Sequence, residues 1–142
     1  MSISARNIFK GKVTAIKDGP VNGEIEITTA GGDKVVATLT ESSIKSLGLA
    51  MGSEAVAVVK TPWVVLLSGT PEYRFSARNQ LKGVESELVK GAVNCYVKVT
   101  LTGGAVVSAM VTNESAVEMG LANRVPVVAL FKASHVLVGV PA

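Results

Sequence analysis

Nine polar residues of this 142-residue chain occur twice at one fixed spacing: Ser4, Arg6, Asn7, Lys10, Asn22, Thr28, Thr40, Ser43 and Lys60 return 72 positions later as Ser76, Arg78, Asn79, Lys82, Asn94, Thr100, Thr112, Ser115 and Lys132. No acid, histidine or cysteine belongs to the repeated set. That absence argues against general acid-base, metal-cation or thiol chemistry, each of which needs one of those groups. What remains are hydrogen-bond donors. Arg6 supplies a forked guanidinium and Lys60 a compact positive charge. Thr40 reads as the N-cap of a short helix with Ser43 at its third position, where unpaired backbone N–H groups and the positive end of the dipole favour an anion. Together they describe an oxyanion pocket. Donors alone suit an anion that is fully deprotonated at neutral pH, such as sulfate, molybdate or tungstate, and disfavour hydrogen phosphate, whose proton would face another donor.

These residues lie in two copies of one unit. Ser4-Ala5-Arg6-Asn7 recurs as Ser76-Ala77-Arg78-Asn79, and the register continues without a gap from Ser4–Leu67 against Ser76–Gly139, with 23 identities in 64 positions. A repeat of this kind decides the architecture before any local pattern does. It divides the chain into a first domain, residues 1–70, and a second, residues 71–142, joined through Gly69 and Pro71. Units this small bury only about 60% of their unfolded surface, yet the chain is 48% hydrophobic and 18% charged, with a mean hydropathy of +0.42. The excess apolar surface predicts contact between the copies and between chains, hence a tight oligomer. No run approaches the roughly 20 apolar residues of a membrane span. The N-terminus lacks the apolar core of a signal peptide, and the single Cys95 cannot form an internal disulfide, so a cytoplasmic location is expected. The formal charge of +3 is scattered, without a basic stripe.

In chain order, Gly11–Lys17 alternates as a strand and Asp18-Gly19-Pro20 breaks it. Glu24–Thr29 alternates acids with β-branched residues, Gly31-Gly32 turns the chain, and Lys34–Leu39 returns as a hairpin. Thr40 caps the helix, Ile44 and Leu47 face inward, and Gly48 stops it. Ala55–Val59 and Trp63–Leu67 are two more strands, the last apolar on both faces and therefore expected between domains. The second copy repeats the plan, with the Gly103-Gly104 turn, the Thr112 cap, Gly120 as stop, and strands at Val125–Phe131 and Val136–Val140. The fold class is all-β: two tandem OB-like five-stranded Greek-key β-barrels, each with one short helix before its fourth strand.

Beyond this pattern, Ser-Ala-Arg-Asn-x-x-x-Gly, followed by Gly-x-Val-Asn, Gly-Gly, Thr-x-x-Ser, Gly-Leu and Lys-Ala-Ser or Lys-Thr-Pro-Trp, resembles the Mop domain of molybdate-binding proteins. The second copy is the closer match, with Ser76-Ala77-Arg78-Asn79-Gln80-Leu81-Lys82-Gly83, Gly91-Ala92-Val93-Asn94 and Lys132-Ala133-Ser134. Two such repeats resemble a cytoplasmic molbindin that stores molybdate or maintains its level. The resemblance implies six Mop domains assembled from a homotrimer, with oxyanions between domains and subunits. It places binding on Ser4, Arg6, Thr40, Ser43, Lys60 and Thr61, and on Ser76, Arg78, Thr112, Ser115, Lys132 and Ala133. Ala5 and Ala77, within the same stretches, are included among the molybdate-binding residues. A second class of oxyanion site near the threefold axis is assigned to Gly19, Val21 and Asn22 and to Gly91, Val93 and Asn94. Molybdate is the implied ligand, tungstate a further one, with no protein ligand to a metal cation.

The plainer readings stand beside these. Asn7 and Asn79 either contact the anion or shape the backbone through amide hydrogen bonds. Thr40 and Thr112 cap helices in either case. His135 packs or points to solvent, Cys95 is a small buried residue, and Trp63 belongs to a core or interface. The competing function is single-stranded nucleic-acid binding, for which OB-like barrels use a basic groove and stacking aromatics. Aromatics are only 4% of the chain and none aligns between copies. A third reading is the effector-sensing part of a regulator or transporter. Only three residues precede Ser4, leaving no helix-turn-helix or phosphate-binding loop, and the chain reads as a complete binder. Enzymatic activity is not expected, for want of an acid, base or nucleophile in the repeated set, and neither a nucleic-acid nor a membrane partner is.

Overall fold

Alternation buries one face of each long strand. In β2 (Asn22–Thr29) Gly23, Ile25 and Ile27 are buried while Glu24, Glu26 and Thr28 are half-buried. The equivalent β7 (Asn94–Leu101) buries Cys95, Val97, Val99 and Leu101. The computed structural model describes residues 2–122 and 124–142. The first repeat contributes β1 (Asn7–Lys17), β2, β3 (Lys34–Thr40), α1 (Glu41–Ser46), β4 (Glu54–Val59) and β5 (Val65–Ser68). The second contributes β6 (Asn79–Lys90), β7, β8 (Val106–Thr112), α2 (Asn113–Glu118), β9 (Pro126–Phe131) and β10 (Leu137–Gly139). Short 3-10 turns at Thr61–Trp63 and Ala133–His135 precede the last strand of each repeat.

The strands form two curled five-stranded sheets, ordered β10-β4-β1-β2-β3 and β5-β9-β6-β7-β8. Each is the expected OB-like barrel with its one short helix, but neither is built from one repeat. The repeats exchange their last strands: β10 pairs with β4, and β5 with β9. Val64 and Val136, both 3% exposed, pin the two crossovers into the core. The strand expected over Trp63–Leu67 is shorter than its apolar run. Trp63 sits in the 3-10 turn, and Val65 is 59% exposed, so β5 is not buried on both faces. The reason is its position: an edge strand has a neighbour on one side, and only its inner residue, Leu66, reaches the core.

Two further contacts hold the halves together. At the hairpin tips, Gly103 N–H and Ala105 N–H donate to the two Asp33 carboxylate oxygens at 2.8 and 3.0 Å. Between the 3-10 turns, Trp63 and His135 lie with ring centroids 4.8 Å apart. Both contacts join equivalent parts of the two repeats, as expected on either side of an internal pseudo-twofold axis.

One turn departs from its repeat. Gly52 has φ +84° and donates its N–H to Val13 O; the equivalent Arg124 donates to Glu85 O at φ +70°. A non-glycine residue in the left-handed region costs about 1 kcal/mol. Arg124→Gly is therefore expected to raise the unfolding free energy by about 0.5–1 kcal/mol in urea melts. An unshifted midpoint would mean the turn stores no strain.

Candidate functional site

Strand register places the shared donors in pairs. Asn7 lies opposite Val59 at the end of the β1–β4 ladder, so Arg6 and Lys60 are neighbours just beyond it. Asn79 lies opposite Phe131, which brings Arg78 beside Lys132 in the same way. All four basic residues are exposed, as are Ser4 and Ser76, while Ala5, Thr61 and Ala133 are buried beneath them and Ala77 is half-buried. The burial of Thr61 and Ala133 fits the 3-10 turns, whose first residue points into the fold and leaves the lysine before it outside.

The two asparagines bind the opposite repeat. Asn79 Nδ2 donates to Val36 O, and Val36 N donates to Asn79 Oδ1, both at 2.8 Å. Asn7 Nδ2 donates to Ser108 O at 2.8 Å, and Ser108 N to Asn7 Oδ1 at 2.7 Å. Each amide imitates one residue of a neighbouring strand and satisfies the outer edge of β3 or β8, which are edge strands. Buried to 1% and 2% exposure, these side chains position the stretch around them. Both asparagines thus make backbone bonds of the kind the plainer reading expects, across the repeats.

That clasp crosses the groups. The Arg78–Lys132 pair sits against β3 of the first repeat, and the Arg6–Lys60 pair against β8 of the second. Arg78 Nε lies 3.5 Å from the Glu24 carboxylate on the neighbouring β2. Glu24 is opposite Thr38, and Asn22 opposite Thr40, so Thr40 follows one two-residue step, about 7 Å, further along that face. A cleft of about 230 Å³ lies there, lined by Lys17, Asp18, Gly19, Asn22, Gly23, Glu24 and Thr38. Thr40 of the first repeat thus lies on the same face as the Glu24 that Arg78 of the second repeat meets, where the repeat pattern had grouped Arg6 with Thr40.

At the helix ends the expected caps form. Ser43 N donates to Thr40 Oγ1 at 3.1 Å and the Thr40 hydroxyl donates to Ser43 Oγ at 2.9 Å. Thr112 and Ser115 repeat this at 3.0 and 2.8 Å. Because each threonine proton is committed, the Ser43 and Ser115 hydroxyl protons remain to be donated outward. The loops assigned to a second class of site differ between repeats. Gly19 N donates to Glu41 Oε1 at 3.1 Å, whereas Gly91 N donates to Asn94 O at 2.8 Å and Asn113 Nδ2 donates to Gly91 O at 3.0 Å. At their tips Val21 and Val93 are each 70% exposed.

Glu24 was missed from sequence, because a filter on residues shared by both repeats discards it: its counterpart is Tyr96. Among the described residues, no group of three or more His, Cys, Asp or Glu is placed to hold a metal ion, and no helix is long and apolar enough to cross a membrane. The arrangement offers charge and hydrogen-bond donors at the boundary of the two repeats.

Comparison with known proteins agrees with this fold. The TOBE domain model matches twice, over residues 3–66 and 76–138. The molybdenum transport protein ModE of Herbaspirillum seropedicae is 41% identical over 140 residues, covering 99% of this chain and 52% of ModE. Molybdenum-pterin-binding protein 3 of Clostridium pasteurianum is 48% identical over 68 residues, 48% of this chain and all of that protein. The chain spans about half the length of the first of the curated relatives it matches. A solved structure of the cytoplasmic molybdate-binding protein ModG, with molybdate bound, superposes with a TM-score of 0.93 at 50% identity, covering 99% of this chain and 100% of that one.

Proposed function

Since the chain belongs to the TOBE domain family and carries the domain twice, we propose that it binds molybdate at the boundaries between its repeats and between subunits, for intracellular molybdenum storage or homeostasis. The observation that carries this is the crossed site: an Arg–Lys pair of one repeat held by a buried asparagine clasp against the strand of the other. Such a site binds a dianion with donors already in place, so little ordering is left to oppose binding. Tungstate has the same charge and shape and binds at the same donors. Likeness to ModG over the whole chain supports the ligand.

The site residues are Arg6, Lys60, Ser4 and Thr61 with the Thr112–Ser115 helix end, and Arg78, Lys132, Ser76 and Ala133 with the Thr40–Ser43 end. Val21 and Val93, exposed on matching loops, support assembly of a homotrimer there, with Asn22 and Asn94 supplying amide donors near the axis beside Gly19 and Gly91, whose N–H groups are bonded within their own loops. The protein acts in the cytoplasm, as ModG does, and by binding without catalysis: the shared set holds no carboxylate, histidine or thiol.

Native mass spectrometry with excess molybdate tests the reading. A trimer retaining several molybdates against sulfate competition is expected; an assembly that retains none would overturn it. Arg6→Ala is expected to reduce the number of anions retained while leaving the melting temperature of the anion-free protein within about 2 °C, because this exposed side chain carries no part of the core. Full occupancy in that variant would remove Arg6 from the site. Oligonucleotides at low salt are expected to show no gel shift, and tight binding would instead favour the nucleic-acid reading.

A further inference from the structure

We infer that the two oxyanion sites of each chain are unequal, with Glu24 guarding the one that contains Arg78. The inference rests on the molybdate reading and concerns how the anion gains access to the guanidinium. Arg78 is paired with the Glu24 carboxylate at 3.5 Å. The repeat offset that carries Asn79–Val36 onto Asn7–Ser108 carries Arg78–Glu24 onto Arg6–Tyr96. Arg6 therefore has, in place of an acid, a phenol that is itself a donor.

Neighbouring positions amplify the difference. Lys17 lies directly across the ladder from Glu24 and Asp18 follows it, so these three positions carry one net negative charge. Their counterparts Val89, Lys90 and Tyr96 carry one net positive charge. A dianion entering beside Arg78 must displace a carboxylate from the guanidinium and remain near it, whereas at the position equivalent to Glu24 one entering beside Arg6 meets the Tyr96 hydroxyl. The first repeat also spends a loop donor on an acid, Gly19 N–H on Glu41, where the second has Asn113. Filling follows in order: the Arg6 site takes molybdate at low concentration and the Arg78 site acts as reserve capacity.

Equilibrium dialysis against molybdate over a wide concentration range tests this on the full chain. Wild type should show at least two affinity classes. Glu24→Gln should tighten the weaker class by roughly tenfold and leave the tighter one in place, the effect of removing a unit charge about 6 Å from a dianion in high dielectric. Tyr96→Glu should weaken the tighter class by a similar factor, so the inference has a second arm should Glu24→Gln fold poorly. Arg78→Ala, which abolishes the weaker class, identifies it. Wild-type binding with both classes unmoved by Glu24→Gln and Tyr96→Glu would overturn the guard while sparing the molybdate reading. No molybdate uptake by wild type would overturn both.

Discussion

Asn79→Ala is expected to lower the unfolding free energy by about 3–5 kcal/mol. The amide makes two 2.8 Å hydrogen bonds to Val36, which is 7% exposed, and is itself 2% exposed. Truncation leaves both the N–H and the C=O of Val36 buried without partners, and each such group costs about 1–3 kcal/mol. Asn7→Ala removes the same two bonds from Ser108, but that strand edge is half-buried, so water replaces part of what is lost. A smaller loss, about 1–3 kcal/mol, is expected there. Asn79→Asp should resemble Asn79→Ala, because a carboxylate accepts from Val36 N but turns a lone pair toward Val36 O. Urea unfolding at one fixed protein concentration measures all three, since unfolding of an oligomer depends on concentration. If Asn79→Ala cost less than about 1 kcal/mol, the clasp would be dispensable and the crossed site would need another anchor.

Glu85→Val is expected to stabilise the protein by about 1–3 kcal/mol at pH 7, with a smaller gain at pH 4. Glu85 is 1% exposed, and its Oε2 has no hydrogen-bond partner among the described residues. The first repeat has Val13 at this place, also buried, one residue before the same bulge in the ladder. Burial disfavours the charged form and pushes the Glu85 carboxyl above the usual carboxylate range. Between the ordinary value and the raised one, the folded state holds a proton that the unfolded state has released, so stability falls as pH rises through that window. The protonated group is the less costly to bury, and its favourable share is fully present only below the unfolded-state value. Melting temperatures of wild type and Glu85→Val at several pH values should therefore diverge as pH rises. Parallel curves would show that Glu85 reaches solvent in solution.

Sequence alone determined what local chemistry dictates. The 72-residue repeat is an identity of residue types between two stretches, while the alternation of Ile25 and Ile27 with Glu24 and Glu26 and the Thr40 and Thr112 caps depend on residues close in the chain, so pattern suffices to read them. The donor-only character of the shared set was legible for the same reason: it is a property of residue types. Tertiary structure decided the rest. The exchange of β5 and β10 cannot be read from two nearly interchangeable repeats, because either sheet accepts either strand and the choice depends on how Val64 and Val136 pack. The partners of Asn7 and Asn79 lie 101 and 43 residues away, a separation that carries no periodic signal. That crossing regroups the site by setting Arg78 beside Glu24 and Arg6 beside β8. A difference between repeats, invisible when only shared residues are kept, thereby becomes a difference in charge around two sites.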